Sequence, residues 1–473
     1  MSDTIRATHL VTQYEYCYGT NMPTALTVIE ERLEEPSAKG LAHAVGRAIR
    51  DGALAPGARL PPIRTLATHL GLSPTTVSAG WALLARNGTI RTDGRRGTKV
   101  ADLQDAAPGR YRRALERQLD FALDLSAGTP DPALLPNLGP ALSALTTASI
   151  PGSYLDDPVL PGLLDVLKEQ WPYAAEQLLV VDGAMDALDL VSRSLLRFGD
   201  RVVVEHPGFP PLLDLLESIG VEVVGVPVDE AGLLPEPLSE AVSSQGSPLS
   251  AVFLQPRAQN PTGASMTVQR AQDLAPILAR VGMPVVEDDS AGAVAATAPI
   301  SLGQWIPDQV IHIRSFSKSH GPDLRLAAMG GPSELLREVS YRRQLGQGWS
   351  SRLLQRVLLN LLTDPATVAD VDRARDEYTR RRVALVRALS SRGVEVASGD
   401  GLNLWMPVHD ESAAMVRLAS QGVGVTPGTP FDVLPGGGGH LRVTVGLVAD
   451  GHDELAQTLA AAANTSSWAS RGR

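Results

Sequence analysis

Cysteine is nearly missing from this 473-residue chain. Cys17 stands alone, so an intrachain disulfide is impossible, a cysteine-built zinc site is excluded, and no metal is expected. Long apolar runs are missing too: none reaches about 18 residues, the length a membrane-spanning helix requires. No charged-then-apolar leader ends in a cleavage site. A cytoplasmic protein with no membrane partner is therefore expected. The marks of wholesale disorder are equally lacking, because 44% of the residues are hydrophobic and 20% charged, ordinary values for a soluble globular protein.

What is present divides the chain. At 473 residues it exceeds one ordinary core and should form two or more domains. The net charge of -10 speaks against nucleic acid, yet it is unevenly spread. Residues 41–100 hold nine basic side chains against two acids, a block of +7 that leaves -17 for the rest. A basic module joined to an acidic body is the asymmetry of a nucleic-acid binder with a second function. Charge alone leaves a solvated basic face equally open.

Residues 1–38 show no sustained period, and Glu30, Glu31, Glu34 and Glu35 precede Pro36, so a loosely ordered extension is expected. Leu41, Val45 and Ile49 then repeat at helical spacing up to Asp51-Gly52. Ile63, Leu66, Ala67 and Leu70 mark a second helix stopped by Gly71. Ser73 caps a third, with Pro74 at its first position and Val77, Trp81 and Leu84 as its buried stripe. Short strands at 89–92 and 98–100 join through Asp93-Gly94, a hairpin signal. Residues 39–101 thus form one small domain, and the Arg-rich stretch 102–123, with Arg110, Arg112, Arg113 and Arg117, reads as a linker. From Gln177, apolar runs near 178–181, 202–205, 221–228, 251–254, 284–287 and 310–313 alternate with helical patterns. That alternation means βαβ units and a mostly parallel α/β sheet. A long charged helix after residue 363 and strands near 402–405 and 441–445 make a smaller α+β lobe, so the body is 124–465.

A helix-turn-helix lays its second helix in the major groove, where the helix N-terminus and short polar side chains meet phosphates and base edges. Here that helix presents Ser73, Thr75, Thr76 and Ser78, and the hairpin behind it carries Arg95, Arg96 and Lys99 beside Gly94 and Gly97. Pattern alone leaves a helical subdomain without a ligand equally open. Leu60-Pro61-Pro62-Ile63-Arg64-Thr65-Leu66-Ala67, Leu70-Gly71-Leu72-Ser73-Pro74-Thr75-Thr76-Val77 and Gly94-Arg95-Arg96-Gly97-Thr98-Lys99-Val100 resemble the GntR-type winged helix over about 60 residues. The resemblance implies double-stranded operator DNA as partner, contacted by Arg64, Thr75, Thr76, Arg95, Arg96 and Gly97.

Pyridoxal phosphate chemistry asks for a lysine, an acid beside the pyridine nitrogen, an anion cradle and an aromatic platform. Ser315-Phe316-Ser317-Lys318 is followed by a Gly321-Pro322 turn and Arg325. A lone Ser-Lys pair is more often surface decoration. Together with Asn260-Pro261-Thr262-Gly263, Glu287-Asp288-Asp289, Val181-Asp182-Gly183-Ala184-Met185 and Glu205-His206-Pro207-Gly208-Phe209-Pro210, it resembles the fold-type-I aminotransferases over residues 124–460. The resemblance implies pyridoxal 5'-phosphate carried by Lys318 as a Schiff base. Asp288 would face the pyridine nitrogen, Asn260 the ring hydroxyl and Phe209 the ring face. Ser315, Ser317, Arg325, Gly183 and Ala184 would hold the phosphate. Tyr154 would reach it from a neighbouring subunit, which requires a homodimer, and Arg442 would bind a substrate carboxylate. Two departures stand out. Ser290 occupies the place of a tyrosine that donates to the ring hydroxyl, and Asp182 puts an acid in the phosphate loop, where it repels the phosphate unless it turns away.

A winged helix fused to such a body resembles the MocR-type regulators. That resemblance implies a transcription regulator that senses a small amine, an amino acid or the cofactor through Lys318, with any transaminase activity weak. A working aminotransferase carrying a DNA-binding arm is the main rival, and a body that has lost its cofactor and serves as a dimerisation scaffold is another.

Overall fold

The computed structural model describes residues 24–86, 89–92, 97–101, 110, 121–147, 153–244, 248–436 and 438–466. The chain forms two compact units, Met1–Ala106 and Ala107–Arg473.

In the first unit four helices precede a hairpin: α1 (Ala25–Glu30), α2 (Ala38–Arg50), α3 (Ile63–Leu70) and α4 (Pro74–Arg86), then β1 (Ile90–Thr92) and β2 (Thr98–Val100). Ser73 caps α4 by accepting the Thr76 N–H at 3.0 Å, and Gly71 ends α3 at φ +65°. Leu41, Val45, Leu66, Val77, Trp81 and Leu84 are buried, as their spacing demands. Gly80 allows α4 to approach α2, since a Cβ there would lie 3.1 Å from both the Ala38 carbonyl and the Leu41 side chain. β1 and β2 pair antiparallel, Ile90 opposite Val100.

The acidic segment before residue 39 is not wholly irregular, contrary to expectation. Thr24 caps α1, whose Val28 and Ile29 are fully buried. Glu30 meets His69 at 2.8 Å, Glu34 meets Arg47 at 2.8 Å and Arg32 meets Asp51 at 3.3 Å. Six residues are too few to show a helical period, and such a helix depends on burying its two apolar side chains and on the contact of Glu30 with His69.

In the second unit a short strand, β3 (Leu123–Asp124), pairs parallel with Val423–Gly424, and the main body is built on an eight-stranded sheet. Its strands are β4 (Gln177–Val181), β5 (Arg201–His206), β6 (Glu222–Asp229), β7 (Gly232–Leu233), β8 (Leu249–Leu254), β9 (Val285–Asp289), β10 (Val310–Ser315) and β11 (Ala327–Gly331). They lie in the order β4-β11-β10-β9-β8-β5-β6-β7. The five central strands, β10 to β6, are mutually parallel; β11 is antiparallel to β4 and β10, and β7 to β6. Helices cover both faces. Val286, Ile311 and Ile313 enter one core with helices Ala184–Leu195 and Pro210–Ile219, whereas Val285 and Val310 enter another with Val268–Val281. The two-residue alternation of a strand sends neighbouring side chains to opposite faces. A smaller lobe joins Leu404–Pro407, His440–Val443 and Thr426–Pro427 in one antiparallel sheet, behind the 26-residue helix Pro365–Ser390. Among the described residues no helix is long and apolar enough to cross a membrane.

Candidate functional site

In an open α/β sheet, ligands gather at the carboxyl ends of the strands. β10 ends at Ser315, and Lys318 follows on the short helix Ser317–His320. Lys318 is half-buried. Burial holds its ammonium below the usual lysine range, against the pull of Asp288 and aided by the positive charge of Arg442. Asp288, at the end of β9, is 3% exposed and accepts Gln255 Nε2 at 2.7 Å and the Ser290 hydroxyl. Burial pushes its carboxyl above the usual range, although both donors and Lys318 pull the other way.

Gln255 also donates its main-chain N–H to Glu205 at 3.1 Å and accepts the Asn260 N–H at 2.7 Å. Glu205 is buried at the end of β5, and burial pushes its carboxyl up to about 8. Half-buried Phe209 shares a cavity wall with Glu205, Gln255 and Asp288. Arg442, 1% exposed, donates to Asn260 Oδ1 at 3.4 Å, to Thr426 Oγ1 at 3.1 Å and to the Ser126 carbonyl. Asn260 therefore connects the Asp288 partner Gln255 to the Arg442 guanidinium.

The anion cradle lies where helix Ala184–Leu195 begins. Gly183 adopts φ +104°, and a Cβ on it would lie 3.1 Å from Arg325 Nη2. Only glycine lets the guanidinium come so close. Arg325 is exposed, takes the left-handed conformation at φ +50° and donates to the Asp182 carbonyl at 3.3 Å. Ser315 Oγ accepts the Ser317 N–H at 3.3 Å. Unpaired helix N–H groups beside a guanidinium form an electropositive seat for a phosphate. Tyr154 stands outside this cluster, 88% exposed with its ring 5.9 Å from that of Trp349.

In the first unit Arg64, Ser73, Thr75, Ser78 and Gly97 are exposed and Thr76 is half-buried. The Ser73 hydroxyl is occupied by the cap and lies 2.6 Å from Thr75 Oγ1 and 2.8 Å from Thr76 Oγ1. Arg95 and Arg96 lie outside the described residues.

A family model described as bacterial regulatory proteins, gntR family, matches residues 37–100, and one described as aminotransferase class I and II matches 141–459. The Vitamin B6 salvage pathway transcriptional repressor PtsJ of Salmonella typhimurium is 35% identical over 400 residues, 83% of this chain and 90% of its own length. The HTH-type transcriptional regulator TauR of Rhodobacter capsulatus is 28% identical over 85% of this chain and 92% of its own. The chain belongs to the MocR-type regulators. The fold of its body is shared with Pyrococcus horikoshii kynurenine aminotransferase, at a TM-score of 0.67 and 24% identity over 75% of this chain and 95% of that one.

Against that background both departures of this MocR-type chain find a place. Asp182 turns its carboxylate to the buried Arg343 at 3.4 Å, and Asp186 joins the same guanidinium at 3.0 Å. The acid in this loop is thus paired with a cation. Ser290 serves Asp288 instead of standing free as a donor. Sequence reasoning missed Gln255, Glu205 and Arg343. Glu205 was visible in the Glu205-His206-Pro207 motif, but nothing in an apolar run ending at Gln255 marks its amide as the link between two carboxyls and a turn.

Proposed function

We propose that this chain is a cytoplasmic, DNA-binding transcription regulator whose body holds pyridoxal 5'-phosphate on Lys318 and reports an amine, an amino acid or the cofactor itself to the winged helix. The observation that carries this reading is the cluster in which Asp288 and Arg442 both act on the charge of Lys318, with Asp288 joined to Arg442 through Gln255 and Asn260.

The residues present fit the cofactor. A Cβ on Gly183 would fill the space beside Arg325, and Asp288 is a buried carboxyl on a cavity wall shared with Phe209. Asp288, Asn260 and Phe209 would hold the ring, and Gly183, Ala184, Ser315, Ser317 and Arg325 the phosphate. Tyr154, exposed on its own protomer, would complete the cradle of a second copy in a homodimer. When bound, the cofactor supplies an aldehyde that condenses reversibly with primary amines. Burial favours the neutral, nucleophilic form of the Lys318 amine. Asp288 would face the ring nitrogen, and the buried Arg442 guanidinium would orient an incoming carboxylate by bidentate bonding. On the first unit Arg64, Thr75, Thr76 and Ser78 would meet the operator, with Arg95, Arg96 and Gly97 on the wing. A ligand changes operator affinity to the extent that it favours one state of the protein over another.

The name of the Salmonella typhimurium relative favours vitamin B6 itself as the signal. Operator binding by wild type and Lys318→Ala, each with and without pyridoxal phosphate and an amino-acid panel, tests both readings. We expect Lys318→Ala to bind DNA but lose every ligand response, and borohydride to trap the cofactor on the Lys318 peptide of wild type alone. An unchanged response in the variant overturns the reading, and multiple-turnover keto-acid production would make the body an enzyme.

A further inference from the structure

The long helix Pro365–Ser390 buries a guanidinium that the Lys318 cluster does not use. Arg382 is 3% exposed. Its Nη1 donates to the Asn403 carbonyl, while Nε and Nη2 have no acceptor among the described residues. Asp400 is the acid that acts on it, but the Asp400 carboxylate already accepts the N–H groups of Ala296, Thr297 and Gly401 at 2.9, 2.8 and 2.6 Å. Burial accordingly pulls Arg382 down to about 10. Orphaned donors on a buried cation carry a desolvation cost that the charge of a nearby anion offsets.

A cavity of about 470 Å³ opens beside this side chain, within the range of small-molecule sites. Arg382 lines it together with Tyr378, Val383 and Val386 of the same helix and with Gly263 and Val294 opposite. The end at Arg382 is thus cationic, and Val294, Val383 and Val386 give the otherwise polar walls an apolar patch. Arg387, Glu230 and Asp400 also line the cavity; with Arg382 they make two cations and two acids, so one added negative charge offsets Arg382 and a second finds no net positive charge to meet.

We propose that this cavity is a second ligand site, for a small monocarboxylate with an apolar body, seated on Arg382. The site backs onto the turn that carries Asn260. A Cβ on either Gly263 or Gly399 would meet the Arg382 guanidinium. The Asp400 N–H donates to the Gly263 carbonyl at 2.8 Å, and the Gly263 N–H to the Gln259 carbonyl at 2.6 Å. An occupant therefore bears on the turn whose Asn260 accepts from Arg442, and gives the regulator an input independent of amine chemistry.

The test is calorimetric titration of the full-length protein with hexanoate and benzoate, with succinate and hexylammonium as the doubly charged and cationic comparisons. Four variants accompany wild type: Arg382→Met, Thr379→Trp, Arg442→Gln and Lys318→Ala. Thr379 is an exposed helix position on the cavity rim, so its variant should fold even if the buried Arg382→Met does not. We expect both monocarboxylates to bind wild type, Lys318→Ala and Arg442→Gln alike. Affinity should fall more than about tenfold in Arg382→Met and Thr379→Trp, the scale of one lost charge-assisted bond. Succinate and hexylammonium should bind at least about tenfold more weakly than hexanoate. No binding to wild type, binding that survives Thr379→Trp, or binding lost in Arg442→Gln overturns the proposal. Because Lys318→Ala is expected to bind these acids normally, failure here is separable from failure of the cofactor reading.

Discussion

The surface proposed to face an operator and the lysine cluster are built on opposite plans. Arg64, Thr75, Thr76 and Ser78 lie within fifteen residues on two short helices, all exposed but the half-buried Thr76, and their display needs only a cap at Ser73 and a buried stripe behind them. Lys318, Asp288, Asn260 and Gly183 lie at the ends of separate strands of the eight-stranded sheet, and Arg442 comes from the sheet of the smaller lobe, so only the tertiary fold gathers them. Their side chains are largely buried, so each polar atom must find a partner, and Gln255 and Arg343 supply partners that no local pattern announces. A surface site tolerates isolated changes, whereas a buried network transmits them.

Four changes sharpen this contrast, beginning with the largest expected effect. Ile29→Ala removes a fully buried side chain from α1 and should cost the first unit about 3 kcal/mol, read as an earlier thermal transition of the full chain. No shift would return residues 24–37 to the status of an extension. Arg64→Ala should weaken operator binding by about 1–3 kcal/mol if it reads a base, or lower the salt slope by about 1 if it meets a phosphate. Neither change should alter ligand binding to the body.

Glu205→Gln probes the buried network through pH. The folded pKa of Glu205, about 8, lies above its ordinary value of 4.5. The stability it contributes is present below 4.5 and lost as pH rises through 8, with a slope of at most about 1.4 kcal/mol per pH unit. Denaturant titrations from pH 5 to 8 should therefore show a flatter profile in Glu205→Gln than in wild type. The smallest effect is expected for Asp182→Asn. With the carboxylate turned to Arg343, cofactor affinity should change by less than about twofold. A marked tightening, seen by absorbance titration, would mean that the acid faces the phosphate after all.

Much of this was legible in the linear chain. The three helices and hairpin of residues 39–101 follow from apolar spacing, the Ser73 cap and the Gly71 stop, all of which act within a few residues. The parallel sheet follows from the alternation of apolar runs with helical patterns, though the reversal of β11 does not. The lysine, acid and turn motifs were recognisable as strings. Helix α1 was not, because burial of Val28 and Ile29 and the Glu30–His69 pair, rather than propensity, hold it. The Asp182 side chain was ambiguous for the same reason, since its direction depends on Arg343, 161 residues away.

Residue order alone therefore settled the local elements and the chemical inventory: which helices start and stop where, and which lysine, acid and arginine are on hand. Tertiary structure decided which of those groups meet, which acids are neutralised, and that Arg382 is left with orphaned donors beside a cavity. The physical reason is range. Capping and periodicity act over one or two turns of chain, whereas desolvation and charge pairing depend on everything that packs around a group, wherever in the chain it originates.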